Sequence, residues 1–191
     1  VKADRDAWKT QAAWSRTPEA LIPRNSESGI VSDFEGDSVS SRFGSGWSVS
    51  DDARSGGASR ATIRLVDGGA NGSAKALEIA GTIDGKLPWA WGGAMFSPGA
   101  APFEPANLTR HRTLSFWAKG DGTPARVMLF AESKGFMPLV QSFTPTAEWK
   151  EFSFPFAAFG GIEGKDITGV LLVGGPKPGA FALRVDDVRF R

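Results

Sequence analysis

The residues of this chain best suited to hold a ligand are aromatic. Trp89 and Trp91 flank Ala90, and in an extended segment both rings project from the same side, beside the small residues Gly92 and Gly93. Indole rings stack on the apolar C–H face of a sugar, and nearby polar side chains such as Arg126, Glu132 or Gln141 are candidates to fix its hydroxyls. The competing reading gives these rings to the interior, where most of 14 Phe and 7 Trp in a domain this small must go.

The second chemistry-bearing group is acidic. Asp186-Asp187 interrupts an apolar C-terminal run between Val185 and Val188. Adjacent strand residues face opposite ways, so one aspartate points inward or lies at a bulge. An inward carboxylate requires a partner: an arginine such as Arg184 or Arg189, backbone N–H groups, or a hard cation. Near the other end of the domain, Asp33, Glu35 and Asp37 offer three more carboxylates that would complete an oxygen cage for calcium.

Catalytic chemistry is poorly supplied. The chain has no Cys and a single His, which excludes thiolate nucleophiles, thiolate zinc sites and multi-His metal centres. That one imidazole, His111, lies between Arg110 and Arg112, whose charges disfavour the imidazolium a general base must become; the trio reads as a solvated edge. There is no G-x-S-x-G elbow, P-loop or dinucleotide fingerprint, and Gly44-Ser45-Gly46 and Gly120-Asp121-Gly122 read as turns. The expectation is a protein that is not itself an enzyme. With 22 Lys+Arg against 21 Asp+Glu there is no field to attract a polyanion, so nucleic acid is not expected as a partner. No run of 18 apolar residues suggests a membrane span.

The elements that must position these side chains are strands. Gly and Pro make up 24 and 12 of the 191 residues and punctuate the chain too often for long helices. Strands are predicted over 29–34, 59–65, 76–82, 94–96, 113–119, 126–132, 139–143, 150–155, 169–173 and 180–190. Alternation is clearest where Leu114, Phe116 and Ala118 share one face and Ser115, Trp117 and Lys119 the other; Val127, Leu129 and Ala131 repeat it. Short strands separated by Gly/Pro turns predict an all-β fold, a jelly-roll β-sandwich of two antiparallel sheets over 31–191. Residues 1–30 read as an N-terminal tail or linker, broken at Thr17-Pro18 and Ile22-Pro23, with Trp8 and Trp14 expected to pack on the domain or a neighbour.

Several segments in order resemble the complex I intermediate-associated protein family. They are Asp33-Phe34-Glu35, the run 46–52 from Gly46-Trp47 to Asp51-Asp52 with Gly56-Gly57-Ala58-Ser59, Trp91-Gly92-Gly93-Ala94, the run 114–122, Trp149-Lys150-Glu151-Phe152 through Pro155-Phe156 and Phe159, and the run 181–188. Together they cover roughly residues 31–190. That family is similar to galactose-binding-like jelly rolls and to non-catalytic carbohydrate-binding modules. The resemblance implies a structural calcium held by Glu35 and one of Asp186 or Asp187, with Asp33 or Asp37 behind them. The chain departs from it in having no Tyr for the binding face. Such domains also occur fused behind bacterial hydrolases, amidohydrolases among them. The expectation is therefore a carbohydrate-binding-like accessory domain of a larger protein or complex, whose partner is a glycan. The alternative is a protein-interaction or assembly domain that packs against a catalytic partner or an upstream domain.

Overall fold

A computed structural model of the chain describes residues 17–135 and 137–191, and the expected packing of Trp8 and Trp14 lies outside the described residues. In chain order the strands are β1 (Ile30–Ser32), β2 (Gly46–Asp51), β3 (Arg60–Asp67), β4 (Lys75–Ile83), β5 (Gly92–Ser97), β6 (Thr113–Gly120), β7 (Ala125–Ala131), β8 (Leu139–Phe143), β9 (Lys150–Pro155), β10 (Ile167–Gly174) and β11 (Gly179–Phe190). Among the described residues the only helical pieces are 3-10 turns such as Asp52–Ser55 and Phe156–Ala158. The predicted strands all form, with ends displaced by no more than two residues. β2 was not predicted: its serines and flanking glycines read as loop, yet Gly46 to Asp51 pair in register with β5.

Two antiparallel sheets face each other as a jelly-roll sandwich. One carries β3-β4-β11-β6-β9 with β1 also on β11, and the other runs β2-β5-β10-β7-β8. At 12 residues, β11 is long enough to pair with β4 over 179–185 and with β1 beyond it, while β6 lies along its other edge. The pairing shifts register between Asp186 and Arg189, where Asp187 adopts φ +48°. That bulge reconciles two adjacent aspartates with a strand between apolar neighbours.

The core lies between the sheets. It contains Leu114, Phe116 and Ala118 of β6 and Val127, Leu129 and Ala131 of β7, as their alternation predicts. Phe96, Phe116, Phe156, Phe159 and Phe190 are fully buried, and each such ring contributes roughly 1.5–3 kcal/mol through burial. Edge-on packing adds to this, with Phe43 and Phe96 centroids 5.5 Å apart and Phe116 and Phe143 5.2 Å apart.

The segment before β1 is laced to the sandwich. The Asn107 backbone N–H donates to Leu21 O (2.8 Å), its side-chain amide donates to Pro18 O (2.9 Å), and the Phe190 N–H donates to Gly29 O (2.7 Å). His111 is buried rather than at a solvated edge, with Nε2 3.0 Å from Ser26 O and its ring against Phe190. Gly29 permits this approach, since a Cβ there would stand 1.9 Å from Phe190 O.

Candidate functional site

The outward face of the five-stranded sheet is the part of the sandwich built unlike a solvated surface. Register defines two rows across all five strands: Ser48–Met95–Leu171–Met128–Val140 and Ser50–Gly93–Val173–Arg126–Ser142. Between them the row Val49–Ala94–Leu172–Val127–Gln141 belongs to the opposite pleat, with Ala94, Leu172 and Val127 in the core. Antiparallel sheets commonly turn a polar face to water. Here Met95, Met128, Leu171 and Val173 form a second apolar cluster outside the sandwich, with Trp91 and Phe130 packed on it. β5 is buried along its whole length, on both of its faces.

A cleft of about 570 Å³ opens over this cluster, lined by Trp91, Met95, Phe130 and Leu171 on its floor and by Ser50 and Arg54 among its polar residues. Phe103 (62% exposed) lines it, while of the other exposed large apolar side chains Val140 stands on the outward face of β8 and Met137 lies just before that strand.

Trp91 is fixed within this arrangement. Its indole Nε1 donates to Ser50 Oγ at 3.1 Å, which sets the ring's orientation across the β2–β5 pair. Its backbone is held by Asp52, a carboxylate with no exposed surface. Asp52 N–H donates to Trp91 O (3.2 Å), and Trp91 N–H donates to Asp52 Oδ2 (3.3 Å). Asp52 also accepts from Ser59 N (2.9 Å) and Ser59 Oγ (2.8 Å), so the turn after β2 and the start of β3 converge on one side chain. Gly57 makes room: a Cβ there would stand 2.2 Å from Asp52 Oδ1.

The predicted ligand residues do not all meet. Trp89 is 57% exposed, in the loop from β4 to β5, so the extended geometry that would align it with Trp91 is not adopted there. Arg126 is on the outward face, but its Nη2 donates to Ala90 O (2.7 Å) and Gly174 O (3.2 Å), and its buried Nε makes no hydrogen bond. Burial disfavours its charge and pulls its pKa below the ordinary arginine value. Gln141 pairs with Val127 on the pleat opposite to Trp91 and Arg126, and its Nε2 donates to Ala158 O at 2.7 Å. Glu132 is exposed on the 3-10 turn after β7. Asp52, Met95, Met128, Phe130 and Leu171 were not foreseen. The outward set of β7 was nevertheless readable as the complement of Val127, Leu129 and Ala131, and the unbroken apolar run of β10 marks a strand covered on both faces.

The predicted metal ligands lie at the other sheet. Asp186 is buried: Oδ2 accepts from Ala70 N (2.8 Å) and Oδ1 from Asp187 N (2.7 Å), while desolvation pushes its pKa up. Glu35 accepts from Ser73 Oγ (2.5 Å), Lys75 N (3.0 Å) and Ala74 N (3.2 Å), which hold its carboxyl below the usual range, the Ser73 bond most strongly. Both carboxylates therefore grip the turn between β3 and β4. A Cβ on Gly69 would stand 2.3 Å from Lys75 O, 2.4 Å from Ser73 Oγ and 2.5 Å from Asp186 Oδ2, so three oxygens of different kinds converge there. Asp187 is turned away and pairs with Arg189, Asp33 pairs with Arg42, and Asp37 reaches only Lys75 Nζ. Among the described residues no three His, Cys, Asp or Glu side chains group as metal ligands. Two carboxylates with a hydroxyl and a carbonyl are a partial oxygen set that fits a hard cation.

No family model and no curated protein matches this sequence. Solved structures do match in fold. The family 11 carbohydrate-binding module of the cellulosomal cellulase Lic26A-Cel5E of Clostridium thermocellum superposes with a TM-score of 0.63 at 18% identity, over 84% of this chain and 92% of that one. The Clostridium thermocellum family 11 module in complex with a β-1,3-1,4-mixed-linked tetrasaccharide gives 0.62 at 18% identity, over 85% and 94%. An exo-β-agarase gives 0.59 at 13% identity, over 86% of this chain and 24% of the agarase. The likeness is one of fold.

Proposed function

We infer that this chain is a non-catalytic carbohydrate-binding domain that serves a larger protein or complex, and that it holds a glycan on the outward face of the five-stranded sheet. The observation that carries the reading is the cleft over Trp91 and Phe130, where an apolar cluster occupies the outside of a sheet and its aromatic ring is locked by Ser50 and Asp52. A sugar's C–H face would rest on Trp91 and Phe130, with Arg54, Asp51 and Ser48 available to its hydroxyls. Much of the polar capacity near the platform is already spent: Ser50 on Trp91, Arg126 on two carbonyls. Selectivity would then rest on the breadth of the sugar's apolar face more than on its hydroxyl pattern. Affinity electrophoresis of the full chain against a panel of soluble polysaccharides tests this. Retention on at least one glycan should weaken tenfold or more in Trp91→Ala; retention on none, or retention indifferent to Trp91, would overturn it.

The exposed Phe103, Met137 and Val140 favour a second reading, in which the same face docks on a catalytic protein partner. A stable complex with a co-purified or fused hydrolase domain, broken by Phe103→Ala and Val140→Ser and unaffected by glycan, would select it. Calcium is a separate proposal: Glu35 and Asp186, with Ser73 Oγ and Lys75 O, would hold the ion as a structural clasp on the β3–β4 turn.

A further inference from the structure

The peptide bond between Ala90 and Trp91 is held at both ends by charged side chains. Its carbonyl, Ala90 O, accepts from Arg126 Nη2 at 2.7 Å. Its N–H, on Trp91, donates to Asp52 Oδ2 at 3.3 Å. Asp52 has no exposed surface, and Arg126 is half-buried with its Nε excluded from water. Neither forms an ion pair within the described residues, although an uncompensated buried charge is costly. The peptide dipole lies between them, with its positive end on the carboxylate and its negative end on the guanidinium. Each charge therefore polarises the group that binds the other. The two side chains come from distant places, Asp52 from the turn after β2 and Arg126 from the outward face of β7. They meet only through this peptide, at the point where the chain enters β5 and presents Trp91.

We propose that Asp52 and Arg126 are a coupled pair of positioning residues, joined through the Ala90–Trp91 peptide, that preorganise the Trp91 ring for ligand. This rests on the glycan-platform reading for its purpose but not for its test. The guanidinium also holds Gly174 O at the end of β10, so the loop carrying Trp89 and Trp91 is tied to both β7 and β10. A lysine can reach one carbonyl and keep the charge; a methionine of similar length can do neither.

Amide hydrogen exchange by NMR on the full chain reads the coupling without a ligand. In Arg126→Met the Trp91 amide should lose protection tenfold or more while core amides such as those of Val127 and Leu172 change little; Arg126→Lys should recover part of it. Asp52→Asn should expose the same amide, and adding Arg126→Met to it should cost Trp91 far less than it does in the unaltered chain. The proposal is overturned by unchanged Trp91 protection in a folded Arg126→Met protein, by equal loss across all core amides, by a lysine no better than methionine, or by additive effects. If Asp52→Asn does not fold, the Arg126 variants alone decide by the same criteria. A chain that passes these tests and retains no glycan would sink the platform reading and leave the coupling in place.

Discussion

Two tryptophans two residues apart carry opposite burdens in this molecule. Trp91 packs on Met95, Met128, Leu171 and Val173 and is tied by its indole and its backbone; Trp89 leaves most of its surface in water. Trp91→Ala should therefore cost about 1–3 kcal/mol of stability as well as ligand affinity, and Trp89→Ala less than about 0.5 kcal/mol, by chemical denaturation. An equal cost at the two positions would contradict this packing. The tryptophan pair was legible in the sequence because indoles beside glycines are a chemical signal by type alone. Their inequality was not, because exposure depends on where a loop between two sheets turns. Asp52 was hidden for the same reason: in the sequence it is one aspartate of a polar turn, and only folding brings Ser59 and Trp91 to it.

At the scale of elements, the β3–β4 turn is fastened by groups far away in sequence, Glu35 before it and Asp186 on β11. If calcium completes this clasp, the melting temperature should climb with calcium concentration and fall in excess chelator. The response should be lost in Asp186→Asn and kept in Asp187→Asn, whose carboxylate serves Arg189. Identical melting curves in calcium and chelator would remove the ion. β1 has its own electrostatic tie. Arg42 hydrogen-bonds Asp33 and holds its carboxyl below the usual carboxylate range, so the pair stabilises the fold above the unfolded pKa of about 3.9 and ceases to as pH falls through the lowered folded value. Arg42→Ala should flatten the loss of melting temperature below about pH 4; a profile parallel to the unaltered chain would count against it. The bulge at Asp187 was half legible: adjacent aspartates in a strand force a break in alternation, but which one turns inward is set by the β4 and β6 neighbours.

For the whole molecule, the sandwich divides stability and recognition between the two sides of one sheet. Phe96 lies in the core and Met128 on the outward face, each nearly buried, on neighbouring strands of β10. Phe96→Ala should cost about 3–5 kcal/mol with ligand affinity unchanged wherever the protein stays folded. Met128→Ala should weaken the ligand at a smaller stability cost. Matched affinity losses in the two variants would mean that the faces are not independent.

The sequence by itself determined ten of the eleven strands and the sandwich, because period-two alternation and Gly/Pro turns are local properties that survive whatever the chain packs against. It also determined the absence of a thiol or multi-His centre, which is a matter of composition. Tertiary structure alone decided which strands became neighbours, and hence that Ser48, Met95, Leu171, Met128 and Val140 form one row and that Gln141 falls on the opposite pleat. A one-residue change of register would exchange those faces. Register is fixed by the summed burial of every strand in the sheet, a non-local quantity that no single segment carries.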